Sequence, residues 1–250
     1  MGGFIMDGDT ERGADDPEVW ALIPAYNAEA FIGAVVEEVR PLVDRVLVVD
    51  DGSSDATAGR AEAAGAQVLR HDHNQGKGAA LATGFEQALR EAAGLVITLD
   101  ADGQHAPGDI PRFLEAYRRT GIPVWIGNRM TDRSTMPLVR RCTNRLMSAL
   151  ISRSIGQPVP DTQCGYRLFH RDVLPLLRGV SPHYEAESEV LFQLSAHGVR
   201  IGSVPVATIY GDEVSAIRPV RDTLRFLRMW RRCVRNRNRN PARNRNQPSG

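Results

Sequence analysis

Leu95-Val96-Ile97-Thr98-Leu99-Asp100-Ala101-Asp102-Gly103-Gln104-His105 decides the fold. The first five residues are almost wholly apolar and read as a strand buried on both faces. The run then stops in carboxylates, an amide and an imidazole, so a chemically loaded loop hangs on the end of a core strand. The same arrangement recurs on the N-terminal side. Residues 78–93 have helical spacing and are closed by Gly94, and residues 66–69 are strand-like. Residues 56–65 are Ala-rich and end at Gly65, and residues 45–49 form another apolar strand that ends in Asp50-Asp51-Gly52-Ser53-Ser54-Asp55. Residues 30–40 carry apolar side chains at helical spacing, and Val19-Trp20-Ala21-Leu22-Ile23 is a strand closed by Pro24. Alternating strands and helices with short links predict an α/β fold, with a mostly parallel central sheet and helices on both faces. In such sheets ligands bind off the carboxyl ends of the strands, where these polar loops fall.

On the C-terminal side, residues 107–120 read as a helix and 124–127 as a strand. Residues 128–145 mix polar and basic groups and read as mobile. A helix over 144–155, a loop running into a strand over 161–169, a helix over 188–197 and a strand over 201–206 complete the pattern. The expected organisation is a flexible leader (1–18), one large domain (19–217), a basic amphipathic helix (218–235) and a disordered Arg/Asn-rich tail (236–250).

Composition narrows the classes further. The chain has 250 residues, 42% hydrophobic and 24% charged, as ordinary globular domains have. Its apolar runs are strand-sized, far short of the roughly 20 residues a spanning helix needs. The acidic N-terminal stretch does not resemble a signal peptide. Cys142, Cys164 and Cys233 are scattered and make neither a disulfide framework nor a zinc spacing, which suits a reducing cytoplasm. The net charge of +1 hides an asymmetry: residues 218–250 hold eleven arginines against a single acid, Asp222, so the body is acidic and the tail basic.

Three motifs carry chemistry. Asp100-x-Asp102 places two hard oxygen donors on one turn, a pairing suited to Mg²⁺ or Mn²⁺ and to the charge of a leaving diphosphate. Asp51 follows a buried strand and is placed to accept hydrogen bonds from a base or ribose, while Ser54 or Asp55 caps the next helix. Asn74-Gln75-Gly76-Lys77-Gly78 is a Gly-rich loop at a helix start, suited to phosphate or to capping. It lacks the spacing of a nucleoside-triphosphatase P-loop. Lys77 is the only lysine beside thirty arginines.

Together with Pro24-Ala25-Tyr26-Asn27, Gly127-Asn128-Arg129, residues 140–144 and Asp161-Thr162-Gln163-Cys164-Gly165-Tyr166-Arg167-Leu168-Phe169, these motifs resemble the inverting family 2 glycosyltransferases of the GT-A fold, a Rossmann-like nucleotide-sugar-binding architecture. The branch they resemble is that of the dolichyl- and polyprenyl-phosphate sugar transferases. The resemblance spans about residues 19–227. It implies that Pro24, Tyr26, Asn27, Asp51, Lys77 and Asp100 hold the nucleotide sugar. It also implies that Asp100, Asp102 and Gln104 bind Mg²⁺ or Mn²⁺, and that Arg129, Arg140, Arg141, Ser215 and Arg218 face the acceptor phosphate. Asp100, Asp102, Gln104 and Arg129 are then the catalytic set. One departure stands out: relatives often carry Glu directly after the Asn of the first motif, where this chain has Ala28 and then Glu29.

The expected activity is metal-dependent, inverting transfer of a hexose from GDP-mannose, UDP-glucose or UDP-N-acetylglucosamine to a polyprenyl phosphate. A phosphate oxygen is already an anion at neutral pH and attacks without a general base, provided cationic groups offset the repulsion between two phosphate-bearing substrates. A sugar or small-molecule hydroxyl acceptor is the first alternative and would need a base, for which Asp161 and Glu187 are the candidates. A non-catalytic nucleotide-sugar-binding module is the second. On a helical wheel over 221–235 most arginines fall opposite Phe226, Leu227, Met229, Trp230, Cys233 and Val234. That fits an anionic membrane surface, or an apolar face docked on the body. The expected location is the inner face of the cell membrane, peripherally bound, with no nucleic-acid partner. The sequence assigns no oligomeric state.

Overall fold

The computed structural model describes residues 16–131, 138–177, 186–207, 209 and 230–235. Seven strands form one sheet: β1 (Val19–Ala25), β2 (Arg45–Asp50), β3 (Gln67–Arg70), β4 (Leu95–Thr98), β5 (Val124–Asn128), β6 (Arg167–His170) and β7 (Ile201–Pro205), in the order β3-β2-β1-β4-β6-β5-β7. Each lies where the apolar runs predict it. The β1–β2, β2–β3, β1–β4 and β5–β7 pairs are parallel. β6 runs antiparallel to both β4 and β5. The sheet is therefore mostly parallel, with one reversed strand that apolar patterning does not encode.

Every residue of β1 and β4 is buried. Because successive strand side chains point to opposite faces, both faces of the sheet centre are covered. The helices are α1 (Ile32–Val39), α2 (Thr57–Ala63), α3 (Lys77–Arg90), α4 (Ile110–Thr120), α5 (Leu138–Ile155) and α6 (Ala186–Ala196). In α1, Ile32, Val35, Val36 and Val39 are buried, the i, i+3, i+4, i+7 stripe of a core-facing helix. α3 approaches β1 closely through Gly84, where a Cβ would stand 2.1 Å from the Leu22 Cδ1. Glycine is what permits that helix–strand distance.

α5 starts six residues earlier than the expected 144, so part of the segment read as mobile is helical. Residues 132–137 lie outside the described residues, as do 1–15 of the leader. Residues 16 and 18 are held: Asp16 pairs with Arg118 at 2.8 Å and Glu18 with Arg45 at 2.9 Å. After β1 the chain winds outward to β2 and β3, then returns to place β4 on the other side of β1. That reversal is a topological switch point, and it opens a crevice at the carboxyl ends of β1 and β4.

Candidate active site

The loops leaving β1 and β2 are stitched together. The Asn27 N–H donates to Ser53 Oγ at 2.9 Å, and Asn27 Oδ1 accepts from the Ser54 N–H at 3.0 Å. Asn27 sits in the left-handed region (φ 49°), which asparagine tolerates. Asp55 accepts the Thr57 N–H at 3.0 Å just before α2, whose N-cap position is Ala56, so neither Ser54 nor Asp55 occupies the cap position. Slight burial works against its charge, but hydrogen bonds from Thr57 and Glu29 hold its pKa below the ordinary carboxylate value. Glu29 accepts the Ala56 N–H at 3.1 Å. The displaced carboxylate of the first motif thus fastens a loop. Between these loops Tyr26 stands half exposed, its ring open to a planar ligand.

Asp51 is 2% exposed. Its carboxylate accepts the N–H groups of Gln75 (2.9 Å) and Gly76 (2.7 Å) and pairs with His71 Nδ1 at 2.7 Å. His71 Nε2 in turn meets Thr83 Oγ1 at 2.9 Å. Asp51 therefore anchors the Gly-rich loop that opens α3, and its carboxylate is turned into the protein. His71 and Thr83 complete this network, and no periodic pattern in the sequence marks either of them.

The anchored loop delivers Lys77 to the centre of the crevice. Its Nζ lies 2.5 Å from Asp100 Oδ1 and 2.6 Å from Glu187 Oε1. Burial disfavours the ammonium, but the two carboxylates outweigh it and hold the lysine pKa well above its ordinary value. Asp100 is half-buried, which works against its charge, yet Lys77, then His105, holds its carboxyl far below the usual range. The Lys77 ammonium thus favours the ionised form of Asp100. Gly165 backs onto the cluster: a Cβ there would sit 3.0 Å from Glu187 Oε1, 3.1 Å from Lys77 Nζ and 3.2 Å from Asp100 Oδ1.

His105 is buried and stacks on Tyr166 with ring centroids 5.0 Å apart. Its Nδ1 accepts the Asp100 N–H at 3.1 Å, which fixes the loop after β4. Burial lowers the His105 pKa, opposed by the Asp100 charge. Asp102 accepts the Gln104 N–H at 3.0 Å, bending the same loop. Asp102 and Gln104 are half buried, within the loop that carries Asp100.

Arg129, at the end of β5, is 9% exposed and grips fully buried Asp161 from Nε at 2.7 Å and Nη2 at 3.0 Å. Both oxygens of Asp161 are thus employed, which fits a structural part rather than that of a base. Burial opposes the Arg129 charge, but nearby Cys164 and Asp161 keep its pKa above the ordinary value. Its charge also favours the ionised form of Asp100. Arg167 on β6 donates to the carbonyls of Cys164 (2.8 Å), Glu187 (2.7 Å) and Thr162 (2.9 Å). A buried arginine in an otherwise apolar strand is a legible signal of such a scaffold.

Beneath the ion cluster is a cavity of about 30 Å³, lined by apolar groups including Leu81, Phe85, Leu177 and Val190. It has room for about one water molecule. Pro24 lines its wall. Of the expected acceptor residues, Arg141 is half buried on α5 and the Arg140 side chain lies outside the described residues, as do Ser215 and Arg218.

The tail departs from a purely lipid-facing amphipathic helix. Residues 230–235 are helical and dock on the body: Trp230 Nε1 donates to Ser154 Oγ on α5 at 3.0 Å, Arg232 pairs with Glu189 on α6 at 3.0 Å, and Cys233 is buried. The apolar side of this turn is spent on the protein. Residues 218–229 lie outside the described residues.

Comparison with known proteins agrees with this geometry. The model of the family "Glycosyl transferase family 2" matches residues 20–177. The chain is 31% identical over 220 residues to the UDP-N-acetylglucosamine–dolichyl-phosphate N-acetylglucosaminyltransferase of Methanococcus voltae, covering 79% of this chain and 88% of that protein. It is 31% identical over 188 residues to the polyprenol monophosphomannose synthase of Mycolicibacterium smegmatis, covering 68% and 71%. The fold is that of glucosyl-3-phosphoglycerate synthase from Mycobacterium tuberculosis, solved with Mg²⁺ and UDP: TM-score 0.66 at 24% identity, over 88% of this chain and 79% of that one. The seven-stranded sheet with its switch-point crevice is thus a GT-A fold, and the chain belongs to glycosyl transferase family 2 as one of its glycosyltransferases.

Proposed function

We propose that the protein transfers a hexose from a nucleotide sugar to a polyprenyl phosphate, with inversion at the anomeric carbon, in a reaction that depends on Mg²⁺ or Mn²⁺. The observation that carries this reading is the Asp100 carboxylate, held ionised at the mouth of the switch-point crevice and already gripping a cation, the Lys77 ammonium, at 2.5 Å. The two relatives support the acceptor class, since one is named as a dolichyl-phosphate N-acetylglucosaminyltransferase and the other as a polyprenol monophosphomannose synthase.

The residues fit a hard divalent cation. Asp100 and Asp102 supply two carboxylates on one turn and Gln104 an amide oxygen, the oxygen set Mg²⁺ and Mn²⁺ prefer. Among the described residues no group of three or more His, Cys, Asp or Glu is placed to hold a metal ion, so diphosphate oxygens would have to complete the set. When bound there, the cation would neutralise charge on the departing nucleoside diphosphate.

The chain's own groups do the rest. Tyr26 offers the base a half-exposed ring at the end of β1, while buried Pro24 backs the small cavity beneath the ion cluster. Asp51 fixes the loop that aims Lys77 at the diphosphate side of the crevice. Arg129, oriented by Asp161, adds positive charge beside Asp100 and stabilises an incoming phosphate against the donor's charge. Arg140, Arg141, Ser215 and Arg218 complete the acceptor side. The nucleophile is a phosphate oxygen that needs no deprotonation, consistent with an Asp161 occupied elsewhere.

Location follows from surface chemistry. None of the described helices is long and apolar enough to cross a membrane. The exposed face of α5 presents Arg145, Leu146, Ala149 and Arg153, with Leu146 63% exposed. The docked turn lies against the flank of this helix and exposes Arg231 and Arg235 beside it. Arginines around an exposed leucine suit anionic headgroups, each contributing about 1 kcal/mol near the surface. The enzyme then works peripherally, at the inner face of the cell membrane.

The test is product analysis. The protein is incubated with GDP-mannose, UDP-glucose and UDP-N-acetylglucosamine in turn, with Mn²⁺ and a short polyprenyl phosphate. A lipid-linked sugar of inverted configuration from one donor is expected. Glycosylation of a hydroxyl acceptor with no lipid-linked product would overturn the reading.

A further inference from the structure

Lys77 stands in an unusual place for a lone lysine. Its ammonium is shared between Asp100 Oδ1 at 2.5 Å and Glu187 Oε1 at 2.6 Å. All three atoms lie within 3.0–3.2 Å of the single point where a Gly165 Cβ would be, so the cluster is compact. Its position is built: the loop carrying it is fixed by two N–H bonds to Asp51, and Glu187 projects from the first turn of α6, behind which Arg167 holds the Glu187 carbonyl at 2.7 Å. A divalent cation on a carboxylate binds at about 2.0–2.1 Å for Mg²⁺ and needs the oxygen's lone pairs. Asp100 Oδ1 already spends one on the ammonium.

We propose that Lys77 is a built-in counter-cation of Asp100 that competes with the divalent metal, and that Glu187 is the seat on which Lys77 remains when the metal takes Asp100. The inference rests on the reading of Asp100 as a metal ligand and goes beyond it. An unloaded site keeps its aspartate neutralised, so metal binding costs the exchange of one cation for another. Glu187 lowers that cost because the ammonium keeps one of its two partners. Lys77 and Glu187 are in this respect positioning residues that set metal affinity.

The test uses Mn²⁺ alone, counted by electron paramagnetic resonance on the full chain. Lys77→Met is expected to bind Mn²⁺ at least about tenfold more tightly than the parent, and Glu187→Gln more weakly. Because the chain has one lysine, protein labelled with ¹³C at lysine Cε gives one side-chain resonance. Mg²⁺ is expected to shift that resonance in the parent and not in Asp100→Asn. This second measurement stands even if Lys77→Met fails to fold. Equal or weaker Mn²⁺ binding by a folded Lys77→Met, or a lysine resonance unmoved at saturating Mg²⁺, overturns the proposal. Loss of Mn²⁺ binding in Asp100→Asn alongside such a result would leave the metal-site reading standing and remove the competition alone. Retention of binding in Asp100→Asn would remove both.

Discussion

Arg129 and Asp161 meet in a buried two-pronged ion pair, Nε to Oδ2 at 2.7 Å and Nη2 to Oδ1 at 3.0 Å, and the Arg129 N–H also donates to Oδ2 at 3.2 Å. The pair ties the end of β5 to the loop before β6. Asp161→Asn strands a buried positive charge, and removing one partner of such a pair costs about 3–5 kcal/mol. Denaturant unfolding at pH 7 is expected to show a loss of that order. A loss below about 1 kcal/mol, the range of exposed pairs, would mean that the pair is not desolvated.

Gly84 sets the distance between α3 and β1. A methyl group there meets Leu22 at 2.1 Å, and overpacking of this kind costs about 1–3 kcal/mol. Gly84→Ala is expected to lower the denaturation midpoint by that amount, despite alanine's better helix propensity. An unchanged or raised midpoint would show that α3 shifts freely.

The three thiols separate by burial. Cys142 is exposed, whereas burial pushes Cys164 up to about 12 and Cys233 up to about 11, from an ordinary 9.0. At pH 8 a thiolate-seeking reagent is expected to modify one thiol per native chain and three after denaturation. The sign of the linkage follows. Both thiols hold their protons more tightly when folded, so their contribution to stability is intact below pH 9.0 and is lost as pH rises towards 11–12. Replacing Cys164 with alanine should flatten that alkaline fall, and an equally steep fall would assign it to other groups.

The membrane face has its own test. Replacing Arg145, Arg153, Arg231 and Arg235 together with glutamine is expected to lower binding to vesicles of anionic lipid by at least about a hundredfold, at about 1 kcal/mol per arginine. Donor hydrolysis in solution should persist, because none of these side chains is part of the Asp100 cluster. Undiminished vesicle binding would move the membrane contact elsewhere.

Much of this architecture was legible before any coordinates. Strand runs such as Val46-Leu47-Val48-Val49 are apolar without alternation, because both faces are covered, and that pattern is local. The loaded loops after β1, β2 and β4 were equally legible as the mouth of a site. What escaped depends on distance along the chain. Lys77 and Glu187 are 110 residues apart, and nothing local in either motif announces their contact. Asp51 reads as a ligand contact because it follows a strand, yet its oxygens face the N–H groups of Gln75 and Gly76. The antiparallel setting of β6 also went unread, since direction leaves no mark on hydrophobic period. For the tail, a helical wheel shows an apolar side but not whether lipid or Ser154 lies beneath it.

The most direct measurement is transfer of labelled sugar to a short polyprenyl phosphate by the parent and by Asp100→Asn, at saturating Mn²⁺ and with the accepted donor. Carboxylate-to-amide exchange keeps the shape of the loop after β4 and removes its ionised oxygen. A rate reduced by two orders of magnitude or more is the outcome this account requires. A variant that turns over as fast as the parent would contradict it.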